Sequence, residues 1–313
     1  MTVVWLPYAS PAEAAARLGG IPEGIEVDCF TGDGPPPESV DRVAFFVAPY
    51  LKGPEVLADV AKMTSLKVIH TLTAGVENFL PHVPEHVTLC NAAGVHDAST
   101  AELAVALALV SERRLDLFAR NMPTGDWQSE FGTSVADRRV LIIGYGNIGA
   151  AIERRLAGFE VASITRVARR ARSGPVEVHP IEDLAGLLPA ADITFLVAPH
   201  TPATEGLIGA AELALLPDDA LLVNVARGRL VDTDAFVEAT ANGRIRAALD
   251  VTEPEPLPPD HPLWRAPGVF ISPHVGGASS AFFPRADRML GSQLRRFAEG
   301  RELENIVDRK TVE

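Results

Sequence analysis

The chain has 313 residues, enough for two domains that each bury a core. Its formal net charge of −13 excludes nucleic acid and an anionic membrane surface as general partners. Cys29 and Cys90 are isolated, with neither metal nor redox spacing, so the expected compartment is a reducing cytoplasm. The first ten residues have no basic segment and no long apolar core, so no signal peptide is expected. Residues 103–110 are apolar but too few to span a bilayer, which excludes a membrane partner of that kind.

Residues 1–98 alternate short apolar runs with helical patterns. Strands are predicted at 3–6, 25–30, 43–47, 68–71 and 87–90. Helices are predicted at 11–18 and 55–63. This alternation predicts a flavodoxin-like parallel sheet, complete within the first 98 residues. A long helix is predicted over 99–119, capped by Ser99 or Thr100 with Glu102 at capping-box spacing. After a Pro/Gly-containing connection at 122–131, a second run of strands follows. They are predicted at 140–143, 161–164, 193–197, 221–225, 247–251 and 269–271. Six strands with helices between them make a doubly wound Rossmann domain. The chain then reads helical from about 279 to 300 and is expected to return to the first domain. The expected fold class is therefore α/β, with two parallel-sheet domains and a cleft between them. Residues 1–98 plus 281–313 form one domain and 99–280 the other.

The second domain opens on its most informative stretch. Val140-Leu141-Ile142-Ile143 reads as a buried strand. Gly144-Tyr145-Gly146-Asn147-Ile148-Gly149 follows at once, then a helix-forming run and a second strand. A Gly-x-Gly-x-x-Gly string is weak alone and much stronger between a strand and a helix. Gly144 permits the tight turn, Gly146 lets a pyrophosphate approach the backbone, and Gly149 lets helix and strand pack closely. The helix start offers N–H groups and a positive dipole end to phosphates.

Three later clusters each follow a predicted strand, where ligands bind in an open α/β sheet. The first is Asn224-Val225-Ala226-Arg227-Gly228. A guanidinium beside a buried strand is costly unless it meets an anion. The second is Asp250-Val251-Thr252-Glu253-Pro254-Glu255-Pro256, whose prolines stiffen a loop that can aim one carboxylate. The third is Ser272-Pro273-His274-Val275-Gly276-Gly277, a histidine ahead of a glycine pair. Each alone reads equally well as structure. Together, an arginine can clamp a carboxylate, a histidine can move a hydroxyl proton, and a glutamate can orient that histidine. Beside a dinucleotide loop, this set suits hydride transfer to a 2-keto acid.

These motifs, with Thr201-Pro202-Ala203-Thr204-Glu205-Gly206-Leu207-Ile208, resemble the D-isomer-specific 2-hydroxyacid dehydrogenase family. The matches run in order over roughly residues 70–280. The resemblance implies an oxidoreductase that moves a hydride between NADP(H), or NAD(H), and a small 2-keto or 2-hydroxy acid such as glyoxylate or hydroxypyruvate. It implies catalytic roles for Arg227, Glu255 and His274, with Glu255 preferred over Glu253. It implies that backbone N–H groups at Ala74, Gly75 and Val76 hold the substrate carboxylate along with Arg227. Cofactor contacts are implied for Gly144, Gly146, Asn147, Ile148, Gly149, Thr204, Val225, Asp250, His274 and Gly276. No metal is implied, and a homodimer is.

The cofactor expectation rests on the end of the second strand. NAD-preferring relatives carry an acid there for the ribose hydroxyls. With that strand ending at about Ile164, Thr165 and Arg166 fall at this place, followed by Arg169, and no carboxylate in the run repels a phosphate. NADP is therefore the expected cofactor. Tyr50, Leu51, Leu72, Trp264, Phe282 and Phe283 are candidates for the substrate side-chain pocket. The rival readings are a phosphoglycerate dehydrogenase-like enzyme and a non-catalytic nucleotide-sensing binder. The lack of a regulatory extension after about Val307 weighs against the first, and the intact Arg227, Glu255 and His274 weigh against the second.

Overall fold

A computed structural model describes residues 1–309. The chain divides into two compact units, Met1–His96 with Ser280–Glu313, and Asp97–Ser279. The last four residues of the range expected for the first domain lie outside the described residues.

The first unit holds strands β1 (Thr2–Leu6), β2 (Ile25–Cys29), β3 (Val43–Val47), β4 (Val68–His70) and β5 (Thr88–Cys90). They form one sheet in the order β2-β1-β3-β4-β5, and every pairing is parallel. This is the flavodoxin-like order. Alternation along β1 sends Val3 and Trp5 to one face and Val4 and Leu6 to the other. The buried Trp5 indole donates to Ser39 Oγ at 2.9 Å, so its N–H is satisfied. Helix α1 (Pro11–Leu18) starts where Ser10 Oγ accepts from the Glu13 N–H and Pro11 fills the first turn. It ends at Gly19, φ 73°, in the left-handed conformation a helix stop requires. The predicted helix at 55–63 is absent. Two short 3-10 turns, Pro54–Leu57 and Val60–Lys62, stand there instead.

In the second unit, helix α2 (Asp97–Glu112) stops short of the predicted 99–119 span. Arg114 takes φ 55°, which breaks the helix before α3 (Leu115–Asn121) begins. The start is also earlier than expected. Ser99 and Thr100 lie buried inside α2, and Ser99 Oγ bonds Ser279 Oγ at 2.6 Å rather than capping. Strands β6 (Arg139–Ile143), β7 (Ser163–Ala168), β8 (His179–Pro180), β9 (Ile193–Leu196), β10 (Leu221–Asn224), β11 (Arg246–Leu249) and β12 (Val269–Ile271) form a parallel sheet. Its order is β12-β11-β10-β9-β6-β7-β8, so the winding reverses between β6 and β9. Such a reversal opens a crevice at the carboxyl ends of the strands. Helix α4 (Asn147–Leu156) follows β6 and packs on α2, with Ala101, Ala104, Ala108, Ala151 and Ile152 in one buried cluster. Three shorter helices complete this unit, α5 (Leu184–Leu187), α6 (Ala210–Leu215) and α7 (Thr233–Ala241).

The predicted second strand of this unit moves as well. Strand β7 runs on to Ala168 instead of ending at about Ile164. Thr165 pairs with Leu141 and Arg166 with Ile142, both inside the sheet. Finally α8 (Phe282–Ala298) returns to the first unit, where Gly291 lets it approach the end of α1; a Cβ there would sit 2.9 Å from the Leu18 carbonyl oxygen.

Candidate active site

The glycine turn is built as its spacing requires. Gly144 has φ 102°, and a Cβ on it would strike the Val197–Ala198 backbone at about 2.5 Å. A Cβ on Gly149 would sit 2.5 Å from the Gly144 carbonyl oxygen. Around Gly146 an added Cβ meets nothing within 4 Å. Gly146 is the N-cap of α4 and its first turn receives no side-chain cap. Open space at the unsealed start of a ten-residue helix fits a dinucleotide pyrophosphate, with the N–H groups of Asn147, Ile148 and Gly149 facing it. Across the sheet reversal, Thr204 Oγ1 is tied to Pro199 O at 2.8 Å in the turn that follows β9.

Arg227, Glu255 and His274 follow β10, β11 and β12. Asn224, buried at the end of β10, shapes the turn that presents Arg227. Its Oδ1 accepts from the Ala226 N–H at 3.0 Å, and its Nδ2 donates to the Arg227 carbonyl at 2.9 Å. Gly228 lets this turn press on the next loop, since a Cβ there would lie 2.0 Å from Thr252 O. In that loop Thr252 Oγ1 donates to Pro254 O at 2.9 Å, and Thr233 Oγ1 to Glu253 O at 3.0 Å. Glu253 turns to Arg229, 3.1 Å away. Glu255 instead accepts a short hydrogen bond from Nδ1 of His274.

The loop that carries His274 is held from below. Asp250 is buried, and its Oδ1 accepts from Ser272 Oγ at 2.6 Å and the Val275 N–H at 2.8 Å. Its Oδ2 accepts from the Gly276 N–H at 2.7 Å. The His274 N–H donates to the Asp250 carbonyl at 2.8 Å. These bonds keep His274 at φ 51°, a conformation few residues other than glycine adopt. The Glu255 hydrogen bond raises the His274 pKa above the ordinary histidine value, while partial burial and the nearby Arg227 charge oppose it. With Nδ1 committed to Glu255, Nε2 is the atom left to exchange a proton with a substrate. Sequence reasoning missed the work of Asn224 and Asp250 as anchors of these loops. Both stand at strand ends with short polar side chains, which is the signal that was present.

The second-strand residues land elsewhere than expected. Arg166 lies inside β7 rather than at its end, and a carboxylate does face it. Its Nε donates to Glu153 Oε2 at 2.7 Å and its Nη2 bonds Glu153 Oε1. Because β7 ends at Ala168, the residues that leave the strand beside the glycine turn are Arg169 and Arg170, both exposed. Thr165 points to the opposite face of the sheet from Arg166.

In the first unit, Thr73 Oγ1 donates to Gly75 O at 2.7 Å and Asn91 Nδ2 to Ala74 O at 2.7 Å, which fixes the turn through Val76. Of the pocket candidates, Leu72 and Phe282 are buried. Tyr50 stacks on Phe282 with ring centres 4.0 Å apart. Leu51, Phe283 and Trp264 are exposed.

A family model described as the NAD binding domain of D-isomer specific 2-hydroxyacid dehydrogenases matches residues 105–276. A glyoxylate reductase from Korarchaeum cryptofilum is 31% identical over 313 residues, covering 94% of this chain and 93% of that one. A D-isomer specific 2-hydroxyacid dehydrogenase from Xanthobacter autotrophicus, solved with NADPH and MES, has a TM-score of 0.80 at 28% identity, over 99% of this chain and 98% of the other. An NADPH-dependent glyoxylate/hydroxypyruvate reductase from Sinorhizobium meliloti, solved with NADP and sulfate, has a TM-score of 0.79 at 26% identity and covers both chains fully, 100% and 100%. The matched span contains the glycine turn and the His274–Glu255 pair, and the relatives match nearly the whole chain. This protein belongs to the D-isomer-specific 2-hydroxyacid dehydrogenases, oxidoreductases that work with a nicotinamide dinucleotide.

Proposed function

We propose that the protein reduces small 2-keto acids of the glyoxylate and hydroxypyruvate class and prefers NADPH. The observation that carries this reading is the His274–Glu255 hydrogen bond on a loop anchored by Asp250, with Arg227 near enough to act on the histidine charge. A bound nicotinamide supplies the hydride. Arg227 clamps the acid's carboxylate and polarises the adjoining carbonyl. His274 gives its Nε2 proton to the carbonyl oxygen in reduction and takes it back in oxidation. Glu255 keeps the ring oriented and favours its protonated form. In the same reading the backbone N–H groups of Ala74, Gly75 and Val76 bind the carboxylate. Thr204, Val225, Asp250 and Gly276 contact the cofactor.

The substrate class is supported by the names of the Korarchaeum and Sinorhizobium relatives. The cofactor preference is supported by Arg169 and Arg170 where β7 leaves the sheet, and by the NADPH and NADP of two structural neighbours. A homodimer is supported by Trp127 and Phe131, which are 95% and 104% exposed, and by exposed Leu115 and Met122 nearby. Two free cysteines suit a reducing cytoplasm. The test is a panel of 2-keto acids, including a phosphorylated three-carbon acid, assayed with NADPH and with NADH. The highest kcat/KM is expected for glyoxylate or hydroxypyruvate with NADPH. A clear preference for the phosphorylated acid, or no turnover of any 2-keto acid, would defeat the proposal.

A further inference from the structure

A second polar cluster lies behind the glycine turn, apart from Arg227, Glu255 and His274. Tyr145 stands between Gly144 and Gly146, and its Oη donates to Glu153 Oε2 at 2.6 Å, on the next turns of α4. Both oxygens of Glu153 also receive the guanidinium of Arg166 from β7. The Glu153 and Arg166 side chains are only 22% and 19% exposed. Arg166 lies 5.7 Å from the Tyr145 ring centre. Arg172, beyond the end of β7, lies 5.6 Å from the same ring and donates to the Tyr145 carbonyl. Three segments therefore converge on one residue of the turn: α4, β7 and the loop after β7.

A turn with three glycines among six residues has little of its own to hold its shape, because glycine loses the most conformational freedom on ordering. The single aromatic side chain in it is the one the cluster grips. We infer that Glu153, with Arg166 behind it, is a positioning residue that fixes Tyr145 and thereby holds the glycine turn in the shape that receives a dinucleotide pyrophosphate. The inference rests on the reading of this turn as the nicotinamide dinucleotide site. The pyrophosphate is common to NADH and NADPH, so the brace serves both equally. That separates it from Arg169 and Arg170, whose charge matters only to a 2′-phosphate.

The experiment is a binding titration of the intact protein with NADH and with NADPH, read by nicotinamide fluorescence and needing no turnover. Glu153→Gln weakens the fork with Arg166. Tyr145→Phe removes only the phenol oxygen and keeps the ring, so it remains informative if Glu153→Gln fails to fold. Each should raise Kd for both cofactors by the same factor, roughly five- to tenfold, about the net worth of one hydrogen bond. In steady-state assays the loss should fall on the cofactor KM rather than on kcat. A rise confined to NADPH would overturn the inference and return Arg166 to the 2′-phosphate. So would a lowered melting temperature with both Kd values unchanged, which marks a purely structural contact. A parent protein that binds neither dinucleotide would defeat the reading of the turn itself, whereas a parent that binds both beside an unaffected Tyr145→Phe defeats only the brace.

Discussion

His274 shows how much a single residue depends on its surroundings. Its pKa is raised, chiefly by the hydrogen bond to Glu255. In the proposed mechanism reduction uses the protonated ring, so kcat/KM for a keto acid should hold at low pH and fade as pH rises through the raised value. Oxidation of the hydroxy acid uses the neutral ring and should show the opposite trend. Glu255→Gln removes the main cause of the shift, so the fall in reduction should move to lower pH. A pH profile of both directions for parent and variant checks this, and an unmoved limb would assign it to another group. Arg169 and Arg170 make the second residue-scale prediction. Their joint replacement by Ala should raise the NADPH KM about tenfold or more and leave NADH nearly unchanged, as expected for charge-assisted contacts to a phosphate in a solvated place. The placement of Arg227, Glu255 and His274 after three strands was legible because each sits in a short motif there. The anchoring roles of Asn224 and Asp250 were not, because their partners, backbone groups and the Ser272 hydroxyl, reach them only once the turns are folded. Asp250 meets Ser272, Val275 and Gly276, more than twenty residues later in the chain.

At the level of elements, β7 is the instructive case. In Ile164-Thr165-Arg166 an arginine reads as the end of a strand, yet the strand continues through Val167 to Ala168. Arg166 can stay within the sheet because Glu153 of α4 meets its charge, a pairing across 13 residues that no local pattern displays. The strand end moves from Thr165 and Arg166 to Arg169 and Arg170, which is why the proposed 2′-phosphate contact falls on that pair. The end of α2 carries a similar hidden pairing. Glu112 is fully buried and bonds Arg246 of β11 at 2.7 Å, with Asp219 2.8 Å from the same guanidinium. Removing Glu112 strips Arg246 of its buried partner and leaves it only the half-exposed Asp219, so Glu112→Leu should cost about 1–3 kcal/mol. A thermal unfolding scan should show a clearly lowered midpoint, and a midpoint like the parent's would mean that Asp219 alone suffices for Arg246.

For the whole molecule, two runs of strand and helix alternation were enough to read two parallel sheets, since period and chain order survive in the sequence. The surface proposed for a dimer was not readable that way, because exposure of Trp127 and Phe131 becomes visible only when the second unit is folded. If that apolar surface is shared between two copies, light scattering should give a dimer, and Trp127→Ser with Phe131→Ser should shift it toward monomer. A parent that stays monomeric at micromolar concentration contradicts the proposal. The first unit carries its own pH dependence. Burial lowers the His70 pKa to about 4, so the ring is neutral in the folded state and protonates more readily unfolded. Its contribution is present above about pH 6.5 and is lost as pH falls through 4, up to about 3 kcal/mol in all. Denaturation followed at Trp5, which is fully buried in that unit, should show the acid loss, and His70→Phe should flatten it. The measurement that bears most directly on the whole account is glyoxylate-dependent turnover of NADPH by His274→Ala beside the parent, with NADPH binding titrated in parallel. Turnover should fall about a hundredfold or more, the usual worth of a positioned acid/base, while the NADPH Kd stays near the parent's. Turnover close to the parent's would contradict the account.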